Sequence, residues 1–277
     1  MSPDKYSAVW VSHSSMGDFL KCPRAYYLRN VYKDPKTGHK VNIISPALAL
    51  GQAVHEVLEN LANFKAEDRL QVPMLKQYEE VFAKFAGEKG GFKSQEEEKE
   101  IRKRGEEMIK RVLANPGPIV NKAIKIAKDL PNFYLSEKEN IILCGKVDWL
   151  EYLPETDSVH IIDFKTGKNE EKDDSLQLPI YLLLVKNTQK REVGQASYWY
   201  LDKEDAPLMS KKLPSYDESF KKVLKVALQV KEARAKKEFK CPQGEKGCFS
   251  CRPFEKILRG EAKFVGVGGY NQDMYIV

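Results

Sequence analysis

Apolar residues recur first at helical spacing along this chain and later at strand spacing. Phe19, Leu20, Tyr26, Tyr27 and Val31 predict a helix over residues 12–32, with Ser14 or Ser15 as its cap. A polar loop, Asp34-Pro35-Lys36-Thr37-Gly38, follows it. Leu50, Val54, Leu58 and Leu61 share one face of a second helix, over about residues 46–64. Residues 65–135 are strongly charged and mainly helical, with breaks at Gly90-Gly91 and Asn115-Pro116-Gly117-Pro118. From Ile141 the period changes. Residues 141–153 read as a strand, 154–157 as a turn and 159–165 as a second strand. A helix over roughly 175–186 follows, then an aromatic-rich strand at 195–201, a basic helix at 216–238 and a short final strand at 273–277.

This order of elements predicts an α/β fold. Its centre is a mixed β-sheet flanked by helices, and residues 65–135 form a helical insertion. We read residues 1–277 as a single domain with a cysteine-rich tail over about 239–256. Hydrophobic residues make up 42% and charged residues 31%, the balance of a soluble globular protein. No apolar run approaches the roughly 18 residues of a membrane span. The start, Met-Ser-Pro-Asp-Lys, leads into no apolar signal core, so a cytoplasmic protein with no membrane partner is expected. Net charge is +6, from 46 basic and 40 acidic residues, which permits a polyanionic partner without requiring one. There is no internal repeat. A Gly-x4-Gly-Lys-Ser/Thr phosphate loop is also missing, so the chain carries no ATPase motif of its own.

The hairpin carries the first candidate chemistry. If its two strands are symmetric about Glu155 and Thr156, Asp148 and Asp163 oppose each other, with Cβ atoms about 5 Å apart. Two carboxylates that close repel unless a cation separates them, and a hard divalent ion with oxygen ligands suits the gap. Lys165 points to the same face, two residues after Asp163. Both faces are otherwise largely apolar, so charges there need partners. The plainer alternative is an Asp–Lys salt bridge.

Two helices add polar groups. His55 has Gln52 and Glu59 on its own side, while Val54, Leu58 and Leu61 face a core. Its imidazole is either a metal ligand or an ordinary surface group. Gln177 and Tyr181 lie four apart, and Pro179 places Gln177 at a helix start near the end of the Lys165 strand. They are either site residues or a capping glutamine and a core tyrosine. Among the five cysteines, Cys241, Cys248 and Cys251 crowd together, and Cys22 in Cys-Pro-Arg-Ala-Tyr is the natural fourth ligand. Such a set holds zinc or an iron–sulfur cluster, the alternative being reduced thiols without metal. Cys144 is placed in the core.

Five segments, in order, carry a resemblance. They are Ser-x-Ser-x-x-x-x-Phe-x-x-Cys-Pro-x-x-Tyr at 12–26, Gly-x-x-x-His-x-x-x-Glu at 51–59 and Gly-x-x-Asp at 145–148, then Asp-Phe-Lys-Thr-Gly at 163–167 and Gln-x-x-x-Tyr at 177–181. The set resembles the RecB/AddB-like branch of the PD-(D/E)XK nucleases, which includes the CRISPR-associated RecB-like nucleases. The resemblance implies a restriction-endonuclease-like core. It also implies hydrolysis of DNA phosphodiester bonds, as an exonuclease or at single strands and duplex ends, in DNA repair or CRISPR adaptation. It assigns His55, Asp148, Asp163 and the Phe164 carbonyl to a catalytic Mg2+ or Mn2+, with Lys165 as the catalytic lysine and Gln177 and Tyr181 in support. It assigns Cys22, Cys241, Cys248 and Cys251 to a [4Fe-4S] cluster. Here Cys241 precedes the close pair, whereas in the family a cysteine usually follows it, so Zn2+ stays an alternative. Val147 stands where the family name has proline. A second reading keeps the fold as a non-catalytic DNA-binding scaffold in a complex with helicase or integrase partners.

Overall fold

The computed structural model describes residues 4–126 and 130–277. The first three residues, and 127–129 of the stretch expected to be mainly helical, lie outside the described residues. The strands are β1 (Val9–Val11), β2 (Lys40–Ile43), β3 (Asn132–Ser136), β4 (Ile141–Cys144), β5 (Trp149–Leu153), β6 (Ser158–Lys165), β7 (Glu192–Tyr200), β8 (Leu208–Lys211), β9 (Lys263–Gly268) and β10 (Gln272–Ile276). The α-helices are α1 (His13–Lys21), α2 (Pro23–Tyr26), α3 (Pro46–Asn60), α4 (Met74–Phe82), α5 (Gln95–Ala114), α6 (Gln177–Thr188), α7 (Tyr216–Lys236) and α8 (Arg252–Leu258). The α/β class expected from the sequence is the class observed. No helix among the described residues is long and apolar enough to cross a membrane.

Two compact units are formed. One comprises residues 1–44, 132–145 and 217–277, the other 45–131 and 146–216. The first holds two small sheets, ordered β1-β4-β3 and β2-β10-β9. Its leading helix is shorter than the pattern predicted. Pro23 disfavours helical geometry at Cys22, which is extended at φ −165° and ψ 111°, so α1 stops at Lys21 and α2 begins anew. The cap is Ser12, not Ser14 or Ser15. Its hydroxyl accepts from the Ser15 N–H, and its own N–H donates to the Ser15 hydroxyl. A π-helical turn, Tyr27–Val31, ends this segment.

The stretch expected to be one strand at 141–153 is two strands in two sheets. It breaks at residues 145–148, so β4 pairs with β1 and β3, while β5 pairs with β6. Asn132–Ser136, inside the stretch expected to be mainly helical, is strand β3. It forms a hairpin with β4, residues 137–140 lying between them, but its ladder is irregular and its burial does not alternate, so no strand period marks it.

The second unit is built on the mixed sheet β5-β6-β7-β8. β5 and β6 are antiparallel with Trp149 opposite Ile162 and Leu150 opposite Ile161, and β6 runs parallel to β7. Ser158–Phe164 of β6 is buried on both faces, as a central strand must be. The even face, with Ile162 and Phe164, joins Trp149, Trp199 and the apolar faces of α3, α4 and α5 in one core. The odd face, with Asp163, meets α6, whose residues Gln177–Val185 are all buried. Residues 122–124 bond to β5 and cover its edge. A buried polar ladder crosses three strands. Asn121 donates to Glu151, whose other oxygen meets His160 Nδ1 at 2.8 Å, and His160 Nε2 meets the Ser197 hydroxyl at 2.8 Å. Each member has a partner, which is what makes burial of this set tolerable.

The contact between α4 and α5 rests on a glycine. A Cβ on Gly105 meets the Tyr78 hydroxyl at 2.0 Å and its ring at 2.4 Å, and Tyr78 is fully buried with its hydroxyl on the Arg102 carbonyl. Gly105→Ala improves helix propensity by about 1 kcal/mol, yet overpacking costs about 1–3 kcal/mol. The expected result of chemical denaturation is a net loss of stability. A gain means that Tyr78 moves aside freely.

Candidate active site and cysteine cluster

The acidic hairpin has the register that its symmetry predicted, and Asp148 and Asp163 are the next positions after the last observed pair, Trp149 and Ile162. Asp148 itself lies in a bend ahead of β5, not in the strand. There its Oδ2 accepts from the Phe164 N–H at 2.8 Å and lies 3.5 Å from His55 Nδ1. His55 comes from α3, which Ser45 caps through the Leu48 N–H and Pro46 opens. Gly51, one turn earlier, lets α3 approach the sheet, since a Cβ there stands 3.3 Å from the Thr166 hydroxyl.

Asp163 is 2% exposed. Its Oδ1 accepts from Gln177 Nε2 at 2.5 Å and from the Tyr181 hydroxyl at 3.1 Å. Its Oδ2 has no hydrogen bond of good geometry, although Lys165 Nζ faces it at 2.9 Å. Lys165 also reaches Gln177 Oε1 at 2.5 Å and Glu171 Oε2 at 3.1 Å, and it lies over the Tyr198 ring. Gln177 opens α6, as Pro179 indicated, and Ser175 accepts its N–H. The structure therefore joins Asp163, Lys165, Gln177 and Tyr181 in one hydrogen-bonded group. It joins His55 and Asp148 in a second, adjoining group with Glu59.

The charges perturb one another strongly. Burial, and then the Asp148 charge, raise the Asp163 carboxyl to about 7. Burial works to lower the His55 imidazole, but Asp148 and Glu59 outweigh it and lift the ring to about 10. Burial likewise opposes the Lys165 charge, and Asp163 and Glu171 restore it, leaving its pKa raised. His55, Glu59 and Asp148, with the buried carboxylate of Asp163 adjoining them, form a donor set suited to Mg2+ or Mn2+.

The sequence model of the PD-(D/E)XK nuclease superfamily matches residues 10–254. The chain belongs to this superfamily. Among curated proteins, none matches it. The mixed sheet with helices over it is the restriction-endonuclease-like core of such nucleases, which typically use Mg2+ or Mn2+.

The nuclease has a second donor set. The sulfur atoms of Cys22, Cys241, Cys248 and Cys251 all lie within 4.8 Å of one another, with Cys248 and Cys251 at 3.8 Å. Cys22 stands at the joint between α1 and α2 and caps α2 through the Ala25 N–H. Burial pushes its thiol up to about 12. Burial also opposes ionisation of Cys248, yet the backbone N–H groups of Cys251 and Ser250 draw it down to about 6. Four gathered thiols of this kind fit a metal that takes sulfur ligands. Cys144 is apart from them, half-buried with its thiol on the Val11 carbonyl.

Sequence reasoning left two acidic groups without roles. Glu59 was visible as the last position of the histidine motif, four residues after His55. Glu171 lies in the connection before α6, outside any helix or strand, where no period marks a residue. Its N–H donates to the Tyr200 hydroxyl, which fixes it beside Lys165.

Proposed function

We propose that this chain is a metal-dependent deoxyribonuclease of the RecB/AddB-like branch, acting on single strands or duplex ends. On this reading residues 1–277 work as a single nuclease domain, with the helical insertion over about 65–135 and the cysteine-rich tail over about 239–256. The observation that carries the proposal is the convergence of His55, Asp148 and Asp163 with Lys165, in which the buried Asp163 carboxylate faces the Lys165 ammonium at 2.9 Å. His55, Asp148, Asp163 and the Phe164 carbonyl hold the ion. A bound Mg2+ or Mn2+ polarises the phosphate and lowers the pKa of water. Lys165 brings a fixed positive charge to the phosphoryl oxygens. Gln177 and Tyr181 hold Asp163 Oδ1, and so keep its other oxygen turned to Lys165. Cys22, Cys241, Cys248 and Cys251 carry a structural [4Fe-4S] cluster, with Zn2+ as the competing occupant.

The test is cleavage of end-labelled single-stranded DNA, duplex DNA and RNA of one sequence, with Mg2+ or Mn2+. Metal-dependent cleavage of single-stranded DNA, lost in Asp163→Ala, supports the proposal. Equal behaviour of wild type and Asp163→Ala leaves the non-catalytic scaffold reading. Activity that appears only with added helicase or integrase partners places the chain within a complex.

The proton shifts make a second prediction. Asp163 is raised from its ordinary value of 3.8, so its contribution to stability falls as pH rises from about 4 through 7. His55 is raised from 6.5, so its contribution is complete below about 6.5 and is lost as pH rises through about 10. Both groups thus favour their protonated forms in the folded chain. A cation must displace those protons, and Mn2+ affinity is expected to rise by about tenfold or more from pH 6 to pH 8. Calorimetric titrations at the two pH values check this, and equal affinities count against a site built from these groups.

A further inference from the structure

On the reading that a divalent cation binds at His55 and Asp148, we propose that Glu59 is a further ligand of that cation and Lys146 is its exchange partner. The ammonium of Lys146 sits on Glu59 until the cation binds, and is then released toward the phosphate backbone of the substrate.

Glu59 follows His55 by one turn of α3, so the two side chains rise from the same stripe of the helix. Glu59 Oε1 lies 3.7 Å from His55 Nδ1, which is too long for a hydrogen bond. At that spacing it acts on the imidazole through its charge. Donor atoms of His55, Glu59 and Asp148 all lie within 4.8 Å of one another. Ligands 2.1–2.6 Å from one ion are at most about 4.2–5.2 Å apart, so the three already stand at ligand spacing. Beside the set, Asp163 Oδ2, on a residue only 2% exposed, faces the Lys165 ammonium at 2.9 Å without a hydrogen bond of good geometry. Asp163 adjoins this set, because Asp148 holds the N–H of the very next residue, Phe164.

Lys146 Nζ contacts the other oxygen of Glu59. The lysine side chain is 63% exposed and the glutamate side chain 17% exposed, so the cation of this pair lies on the solvent side. An exposed ion pair of that kind is weak and a divalent ion displaces it. His55, Glu59, Lys146 and Asp148 together line one part of a cleft of about 950 Å3. Once displaced, the ammonium remains in that cleft on a flexible stem, where a phosphodiester is its natural counter-ion.

The experiment is calorimetric titration of Mn2+ into the full chain at pH 8, cysteine site as purified. Wild type is compared with Glu59→Gln, Asp148→Asn, Lys146→Ala and Lys125→Ala, a cleft lysine that contacts Asn63 instead. Circular dichroism verifies folding. Glu59→Gln is expected to weaken Mn2+ binding on the order of 10-fold or more. Lys146→Ala is expected to tighten it by roughly threefold, with Lys125→Ala near wild type. Should Glu59→Gln not fold, Glu59→Asp is read in the same way, with at least about a threefold loss expected. Normal affinity in the Glu59 variant overturns the ligand role when Asp148→Asn is weakened. Normal affinity in both overturns the cation-site reading itself. Tightening by Lys125→Ala equal to that by Lys146→Ala overturns the exchange.

Discussion

Asp163→Asn is expected to leave a folded protein that cleaves end-labelled single-stranded DNA at least about a hundredfold more slowly than wild type. The substitution keeps the shape of the side chain and removes its charge. The carboxylate is buried, and its ionisation is opposed first by burial and then by Asp148. Losing that charge relieves a cost in the metal-free protein, so the variant should melt no lower than wild type at pH 8. Lys165 keeps Glu171 and Gln177 as partners, so it is not left as an isolated buried cation. Stability and activity are thus expected to separate. Single-turnover cleavage at saturating Mn2+ measures the first effect and a thermal melt the second. Wild-type rates in Asp163→Asn sink the assignment of this aspartate.

Cys22→Ser is expected to remove bound metal from the cysteine set and lower the melting temperature by about 10 °C. Cys22 joins α1 to α2 and lies among Cys241, Cys248 and Cys251, residues more than two hundred positions away in the chain. A metal there closes a very long loop, and the surrounding cluster of buried residues is small, consisting of Ala25 and the cysteines themselves. Apart from the Tyr27–Phe239 stack and the Arg24–Glu255 ion pair, that cluster adds little packing at this joint. Metal analysis and the visible spectrum of anaerobically purified protein read the outcome. A brown protein whose colour disappears in Cys22→Ser supports [4Fe-4S], and a colourless protein with one zinc per chain establishes zinc instead. Cys144→Ser serves as the control, since the Cys144 thiol lies outside the four-cysteine set, on the Val11 carbonyl. Unchanged metal content and melting in Cys22→Ser count against a four-cysteine site.

The parts of the fold that were legible share a physical property, namely that they are local. The helix carrying His55 shows its buried face at a period of 3.6, and its Ser45-Pro46 start is a cap signal. The hairpin register followed from chain symmetry about a short turn, because β5 and β6 are neighbours in sequence. Pro179 located the start of α6 within two residues. The failures are equally physical. The stretch 141–153 is continuously extended in composition, and only the partners on either side reveal that it belongs to two sheets. The break at Cys22 is set by the proline after it, which outweighs an apolar pattern that continues through residue 31. Strand β3 is short and irregular, and its pairing with β4 shifts register, so its Phe-Tyr-Leu core carries no clean alternation.

At the site, residue types and spacing raised His55, Asp148, Asp163, Lys165, Gln177, Tyr181 and the four cysteines beside plainer readings, and the ordered resemblance to the nuclease family is what assigned their roles. The sequence by itself determined the α/β class, the hairpin register and the presence of two separate donor sets. Tertiary structure alone decided which atoms share a partner. It turned Asp148 out of its strand toward His55 and the Phe164 N–H, bound Asp163 Oδ1 to Gln177 and Tyr181 while leaving Oδ2 without a hydrogen bond, and brought Glu59 and Lys146 together. Spacing along a chain carries the period of a helix or strand. The distances between oxygen, nitrogen and sulfur atoms that define a site are set by how several elements pack, and that is information no single segment contains.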